Sequence, residues 1–559
     1  MVKKKTTNIG RKKRALFKQG HKFVKKGDWY KATLTYMDLW ELDPEDENNL
    51  ILLSQALIQI GARDKAIYVL EKALEVNGPR QEILTIIGSL ANNMEMFDIS
   101  EKLHIQFMKL FPEDPAAYFG YSGALGGQDR FQESVDFLQQ VIPQFPKQSE
   151  LWNLLASHLF KQGRITESIP FYNEALNLSD KNFAIYNNLA LASEYLGDSQ
   201  KSLEYAEKAL ECDPTHPEPR MGKALRLLTM GNFKEGWELY EARLDHRKGD
   251  CIHYTVDLPP WKGEDLKDKT ILLRSEQGVG DEVFFAHLYL PILKMAKKVI
   301  IGCEKRLETL FTRSFPEADI YFHASGRRTG YYFRGYPELD TLISEGKQKI
   351  DYAVPIASVA QYLYESPAQI EDHPDGIVTP DPKQMEKWKK RFAKIGKGKK
   401  VGILWKSMIT GKGRDIFYYN LDQMLPFFKV NGVEFINLQY TDCEDEIVAF
   451  EKKHDVKIHR WKDIDMKDDL DQLTAYISNL DLVIGPASAP SMFAASLGVP
   501  VWWTSKLSAW WFFGNENHPP FFSKGRIFTC DVEVPWDDAM IEIANELQKF
   551  VKTGSPFQD

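Results

Sequence analysis

The stretch Gly231-Asn-Phe-Lys-Glu-Gly-Trp-Glu-Leu-Tyr-Glu-Ala-Arg243 decides how the chain is read, because one architecture ends in it. Counting back from Gly236 in steps of 34 gives Ser202, Ser168, Ser134, Ser100, Ala66 and Ala32, every one small. A second series with the same step, Gly20, Ser54, Gly88, Ser122, Ala156, Ala190 and Ala224, is small throughout. A third, Gly27, Gly61, Glu95, Asp129, Gly163, Gly197 and Gly231, carries residues suited to a turn. Between them fall junctions such as Asp43-Pro44, Asn77-Gly78, Phe111-Pro112 and Asp213-Pro214.

Fixed periodicity of this kind predicts stacked helix pairs. Small residues let the two helices of a pair approach closely, a tight turn joins them, and proline or a short polar residue ends the second helix. The pattern resembles the tetratricopeptide repeat, with seven units over residues 13–248 and a basic tail over residues 1–12. Such a solenoid presents a concave groove. The groove reads either as a surface for a protein acceptor or as a scaffold through which the chain forms homo-oligomers.

Composition bounds the rest. A 559-residue chain implies several domains, and 43% hydrophobic with 27% charged residues is the balance of an ordinary globular protein. The net charge of -8 opposes a general nucleic-acid binder. The basic run Lys3, Lys4, Lys5, Arg11, Lys12, Lys13 and Arg14 reads as a solvated tail. No secretory signal and no apolar segment of bilayer length is visible, and five widely spaced cysteines make neither a disulfide framework nor a zinc spacing. A cytoplasmic location is the expectation.

Past Arg243, a turn-rich connector over residues 249–269 contains Leu258-Pro-Pro-Trp-Lys-Gly263. Strand and helix signals then alternate. The expected strands are Thr270–Leu273, Lys298–Gly302, Asp319–Phe322 and Asp351–Val354, then Val401–Trp405, Glu434–Leu438, Val456–Ile458, Leu482–Ile484 and Val499–Trp503. The expected helices include Asp281–Lys297, Leu421–Phe428, Glu444–His454, Leu470–Asn479 and Ser488–Leu497. Two βαβ series imply two doubly wound, Rossmann-like lobes, over residues 270–380 and 381–559, so the fold class is an α-solenoid followed by α/β. Because the repeats form their own stacked core, deleting residues 1–214 is expected to spare ligand binding by the second lobe.

Ligands of such sheets lie beyond the carboxyl ends of strands. Three turns there carry chemistry. Leu273-Arg-Ser-Glu-Gln-Gly-Val-Gly-Asp281 joins a strand to a helix through Gly278 and Gly280, and lacks the third glycine of a dinucleotide fingerprint. Trp405-Lys-Ser-Met-Ile-Thr-Gly-Lys-Gly-Arg414 is polar and bears Lys406, Lys412 and Arg414. Ile484-Gly-Pro-Ala-Ser-Ala-Pro-Ser491 opens a helix at Ser488, where free N–H groups and the Ser488 and Ser491 hydroxyls suit an anion. Ser488 also suits a simple helix cap, while Gly485, Ala487 and Ala489 leave room for a ligand.

The pieces Ser275–Leu293, Val401–Ser407 with Arg414, Phe435–Tyr440 and Asp469–Trp503 occur in the order seen in bacterial tetratricopeptide-repeat glycosyltransferases. The chain resembles that group, whose GT-B catalytic half is akin to O-GlcNAc transferase and the heptosyltransferases. Within it, the repeat-fused flagellin glycosyltransferases are the nearest resemblance. This resemblance implies transfer of a sugar from a nucleotide-sugar substrate to a protein acceptor, flagellin among them, with no bound metal and no other cofactor. It implies that Lys406, Ser407 and Arg414 face the donor phosphates and that Gln439 lies near the base or ribose. Ser488, Ala489 and Ser491 then hold the diphosphate, and the Gly278/Gly280 turn faces the cleft between lobes.

Asp281, at the start of a helix, suits a general base that takes the acceptor proton, and equally suits a carboxylate held by the helix dipole. His287, six residues on, is the weaker candidate for the base. Related sequences carry Asp-Thr and then His in the last motif, where this chain has Ala487-Ser488 and Met492. That departure leaves room for a non-catalytic adaptor that only senses a nucleotide sugar; a glycolipid or capsule transferase is the third reading. Asp463-Ile-Asp465 and Asp469-Leu-Asp471 resemble a D-x-D metal signature but sit where caps and solvated acids are expected. The aromatics Trp502, Trp503, Trp510, Trp511, Phe512 and Phe513 read as core and lobe contact.

Overall fold

The computed structural model describes residues 2–25, 27–44, 46–245, 247–248, 251–328, 331–370, 374, 376–408, 411, 414–507, 509–515 and 518–557. Among these, fourteen helices run from α1 (Val2–Lys25) and α2 (Trp29–Leu42) to α13 (Pro217–Thr229) and α14 (Phe233–Tyr240) in successive packed pairs. The basic run expected as a tail falls within the first helix, since residues 2–25 form one continuous helix. Lysine and arginine are good helix formers, and no proline interrupts the run.

The turn ladder has a backbone cause. Gly27, Gly61, Gly163, Gly197 and Gly231 have φ between +71 and +80°, and Glu95 and Asp129 both sit at +59°. In each repeat the N–H after that residue bonds the carbonyl five residues before it, as in Ala62 to Leu57 (2.9 Å), Met96 to Ala91 (2.9 Å) and Asp198 to Ser193 (2.9 Å). This is the Schellman ending of a helix, which needs one left-handed residue. Glycine adopts it without strain, and Glu95 and Asp129 are forced into it by the repeat.

The second half contains two parallel sheets. The first is built from β2 (Thr270–Arg274), β3 (Lys298–Cys303), β4 (Ala318–Phe322) and β7 (Tyr352–Pro355), in the order β4-β3-β2-β7. The second is built from β8 (Lys399–Ile403), β9 (Val433–Asn437), β10 (Ile458–His459), β11 (Leu482–Pro486), β12 (Val501–Ser505) and β13 (Gly525–Thr529). Its order is β10-β9-β8-β11-β12-β13. Numbered within itself, this sheet runs 3-2-1-4-5-6, a doubly wound order that reverses between β8 and β11.

A third, small sheet was not visible in the sequence. β1 (Ile252–Tyr254), inside the supposed connector, pairs parallel to β6 (Tyr331–Gly335), which pairs antiparallel to β5 (Ala324–Arg328). The long helix expected at 281–297 is broken into α15 (Val279–Phe285), a 3₁₀ turn at Ala286–Leu288 and α16 (Tyr289–Met295). Pro291 has no N–H for the His287 carbonyl, which favours the break. The remaining helices are α17 (Glu308–Ser314), α18 (Pro337–Ser344), α19 (Ala360–Leu363), α20 (Pro382–Phe392), α21 (Leu425–Phe428), α22 (Glu444–His454), α23 (Leu470–Ile477), α24 (Ala489–Ser496) and α25 (Asp537–Thr553). Only the end of the helix expected over 421–428 forms.

The repeats and the sheets are not independent bodies. One continuous core takes in Leu228, Phe233 and Trp237 of the last repeat, Phe284 and Phe285 of α15, and Trp503, Trp511 and Phe513 in and beyond β12. The Phe233 and Phe513 rings are 4.8 Å apart, and Phe284 and Trp510 are 5.9 Å apart. Farther along the solenoid, Ile416, Leu507 and Val532 of the second lobe pack into the cluster of Phe160, Ile165 and Leu189. Deleting residues 1–214 therefore uncovers apolar surface of the second lobe, contrary to the clean separation expected from the repeats alone. Among the described residues no helix is long and apolar enough to cross a membrane.

Candidate functional site

The loop leaving β2 and the helix leaving β11 meet. A Cβ placed on Gly280 would lie 3.8 Å from both Cα and N of Ala489, so the first turns of α15 and α24 touch across the cleft. Both lie at the carboxyl ends of their strands, where α/β sheets bind ligands.

The first loop is held by buried arginines. Arg334 of β6 donates to the carbonyls of Ser275 (3.3 Å), Glu276 and Gln277 (2.9 Å) and to Ser275 Oγ (3.0 Å). Glu276 Oε1 accepts from Arg243 Nη2 (3.1 Å) and from the Ala357 N–H (3.0 Å). Arg243 Nη2 also donates to Ser358 Oγ (2.8 Å), and Arg243 Nη1 to Glu241 Oε1 (2.6 Å). Carbonyls that would otherwise be unpaired are thus satisfied by guanidinium groups, and the Arg243 charge is balanced by two carboxylates.

Asp281 stands in the first turn of α15, next to Gly278, which caps the helix in an extended conformation. Its side chain is reachable by solvent, yet the surrounding protein strips away much of its hydration. That desolvation, with Glu276 and less so Glu282 nearby, pushes its carboxyl up to about 6, against a hydrogen bond from the Gly278 backbone. A base poised near neutral pH results. His287 is a correction: it is 0% exposed, with its ring 4.8 Å from Phe522 and 5.5 Å from Phe521. An imidazole enclosed in that core has no path to a substrate.

Ser488 and Ser491 stand in a capping-box arrangement around the first turn of α24. Only one half of it is a full hydrogen bond: the Ser488 N–H donates to Ser491 Oγ at 2.9 Å, while Ser488 Oγ is buried with no hydrogen-bond partner among the described residues. Ser491, 0% exposed, also donates to the Pro486 carbonyl (3.1 Å), so it braces the turn rather than facing the cleft. Gly485 is required by packing, since a Cβ there would lie 2.4 Å from the Leu404 carbonyl. Its small size does not serve a ligand.

The loop after β8 departs most from expectation. Gln439 Oε1 accepts from Trp405 and Lys406 N–H (both 3.1 Å), and Nε2 donates to Lys406 O and Thr441 Oγ1 (both 2.9 Å). All four bonding positions of the amide are used, so Gln439 fixes the loop and has nothing left for a base or ribose. Lys406 Nζ is paired with Glu446 at 2.7 Å instead of standing open to a phosphate. Ser407 Oγ lies 3.2 Å from Tyr440 Oη. Arg414 is exposed, and Lys412 lies outside the described residues. Beside Gln439, beyond β9 and β10, a cavity of about 460 Å³ is lined by Asn437, Tyr440, Thr441, Asp442, Asp465 and Lys467 among others.

The acidic pairs are occupied. Asp463 pairs with Arg391 (2.6 Å), Asp465 accepts from the Lys467 and Asp468 N–H groups, Asp469 caps α23, and Asp471 pairs with Arg313 across to α17. No group of three or more His, Cys, Asp or Glu that could hold a metal occurs among the described residues.

Sequence reading missed Arg243, Glu276 and Arg334. The one available signal was the break in the repeat pattern at Arg243.

A family profile described as Tetratricopeptide repeat matches residues 148–215. Over 532 residues the chain is 29% identical to Protein FlbA of Caulobacter vibrioides, covering 94% of this chain and 88% of that protein. It is 26% identical over 238 residues to the Hsp70-Hsp90 organizing protein of Triticum aestivum, covering 41% of this chain and 40% of that protein. Among solved structures, a tetratricopeptide repeat protein from Parabacteroides merdae matches at 15% identity and a TM-score of 0.34, covering 38% of this chain and 84% of that one. The chain carries tetratricopeptide repeats followed by a region of parallel sheets.

Proposed function

We propose that the protein is a glycosyltransferase of GT-B type that moves a sugar from a nucleotide-sugar donor to a protein acceptor. In this reading the acceptor, flagellin by the sequence resemblance, is presented by the repeats, and the reaction runs in the cytoplasm without a bound metal. The observation that carries the reading is the contact of the two turns at Gly280 and Ala489. It brings a carboxyl raised to about 6 onto the same cleft as a helix N-terminus with a spare buried hydroxyl, Ser488 Oγ.

The chemistry follows from these parts. The acceptor hydroxyl attacks the anomeric carbon while Asp281 takes its proton. A new C–O bond forms, the bond to the donor phosphate breaks, and the nucleoside diphosphate leaves with the electron pair. The N-terminus of α24 favours that negative charge through its dipole and first-turn N–H groups. The 460 Å³ cavity at the carboxyl ends of β9 and β10, to one side of the reversal between β8 and β11, is the reading's place for the nucleoside.

One observation favours a second reading, a repeat adaptor that senses a nucleotide sugar without turnover. Lys406 and Gln439 are both consumed by protein contacts. The two are separated by incubating the full chain with a panel of labelled nucleotide sugars, with chelator and with added Mg²⁺ or Mn²⁺. Release of nucleoside diphosphate in chelator supports the transferase. Binding with no release under any condition supports the adaptor, and release only with added metal would remove metal independence from the proposal.

A further inference from the structure

Nine of the chain's 71 lysines and arginines fall within residues 383–400, where Glu386 is the one acid, although the whole chain has a net charge of -8. Helix α20 sorts them. Met385, Trp388 and Phe392 face the core, with Trp388 0% and Phe392 4% exposed. Lys383, Lys387 and Lys390, at i, i+4 and i+7, stand on the opposite, exposed side. Lys394 and Lys397, also exposed, extend the row past the helix end. A recess of about 490 Å³ next to Ile395 continues this face, with Lys457, His459, Arg460 and Lys462 in its wall.

The acids here are already engaged. Glu386 is paired with Lys390 (3.5 Å), Asp463 with Arg391 (2.6 Å), Asp481 with Lys399 (3.6 Å) and Glu434 with His459 (2.9 Å). Glu444 and Glu451, both in the recess wall, are paired with Arg460 (2.9 Å each). Lys383, Lys387, Lys394, Lys397, Lys457 and Lys462 form no ion pair among the described residues. Solvated helices elsewhere answer their cations within a turn, as Lys72 with Glu75, Arg130 with Glu133 and Arg164 with Glu167. This face leaves its positive charge unanswered.

The chemistry of the face narrows the partner. Arg391 and Arg460 are both held in carboxylate pairs, Trp388 is buried, and Trp461 packs against Phe392 and Trp388 with ring centres 5.3 and 5.5 Å away. Neither a free guanidinium fork nor an open ring is offered to a nucleic-acid base. No large apolar side chain is exposed between residues 383 and 400, so the apolar anchor of a protein interface is missing as well. Unpaired lysines without an anchor suit the headgroups of an anionic bilayer.

We propose that this face docks the protein on an anionic phospholipid bilayer. The lysine ammonium groups lie over the lipid phosphates and carboxylates, while the apolar side of α20 stays in the core, so the contact is electrostatic and nothing inserts. β8 begins at Lys399, beside the docked face, and the cleft lies past the carboxyl ends of the strands, so docking leaves the cleft open. Docking stands whether or not the cleft transfers a sugar.

The test is cosedimentation of the full chain with vesicles of phosphatidylcholine alone and of equal parts phosphatidylcholine and phosphatidylserine. The protein should pellet with the mixed vesicles only, and added salt should release it. Lys383→Gln, Lys387→Gln and Lys394→Gln should each weaken partitioning about fivefold and leave the melting temperature level, since all three residues are exposed. Lys387→Arg should retain binding, and Lys201→Gln with Lys208→Gln, two exposed lysines of the repeats, should leave it at the parental level. Failure of the parent to pellet with mixed vesicles would overturn the proposal. Parental partitioning of the triple variant would do the same, assigning the lipid to the basic residues near the start of α1. Capture of a DNA duplex in place of the vesicles would also overturn it.

Discussion

Arg243 Nη2, from the turn that closes the last repeat, lies 3.1 Å from Glu276 Oε1 in the loop between β2 and α15, and both residues are buried. The solenoid thereby reaches into the loop that carries Asp281. Arg243→Met leaves the buried Glu276 without its cation in a low-dielectric setting, a change of about 3–5 kcal/mol. Chemical denaturation should show that loss, and Arg243→Met with Glu276→Gln should recover part of it. Additive losses in the double variant would mean the pair is not coupled.

Asp281→Asn should lower sugar transfer by roughly 10²–10⁴-fold, the usual loss of a general base. The parental rate should rise with pH through about 6 as the carboxyl ionises. The stability sign runs the other way. Folding raises this carboxyl from 3.8 to about 6, so the stability tied to its proton is complete below 3.8 and lost as pH rises through 6. The Asp281→Asn protein carries no such charge, and its melting temperature at about pH 7.5 should equal or exceed the parent's. Lower stability with unchanged turnover would identify Asp281 as a dipole partner only.

Ser488 separates capping from ligand binding. With no hydrogen bond to its Oγ among the described residues, Ser488→Ala should change stability by less than about 0.5 kcal/mol; a true cap would cost about 1 kcal/mol. Ser488→Asp should keep the fold and weaken nucleotide binding strongly, since a carboxylate repels a diphosphate. Titration with nucleoside diphosphates checks this, and parental affinity in a folded Ser488→Asp protein would remove α24 from the donor site.

Glu95 holds a left-handed conformation at +59° that the repeat otherwise gives to glycine. Glu95→Gly should relieve strain of about 1 kcal/mol, offset in part by the greater freedom of glycine in the unfolded chain. The net effect expected is a small rise in the denaturation midpoint. Gly61→Ala, at the equivalent turn with φ +77°, should lower it. A fall on Glu95→Gly would show that the glutamate side chain matters more than the backbone there.

The sequence alone was enough for the repeats, because each helix pair repeats the same local demands: small residues at the crossing and one left-handed turn every 34 residues. It was also enough for the alternation of strands and helices, whose periodicity lies within each segment. It did not reveal β1, β5 and β6, since short strands gain their stability from one another, β1 and β6 across about 80 residues, and carry little local signal. The partners of Gln439, Lys406 and His287 were not legible in the sequence for a related reason. Whether a polar side chain faces a ligand depends on which partners the tertiary fold brings to it, and here Trp405, Glu446 and Phe522 arrive first. Arg243 meets Glu276 across 33 positions and Thr166 meets Glu533 across 367. The contact of Gly280 with Ala489 and the seating of the solenoid edge on the β8 loop are of the same long-range kind, so no local pattern encodes them; only packing decides them.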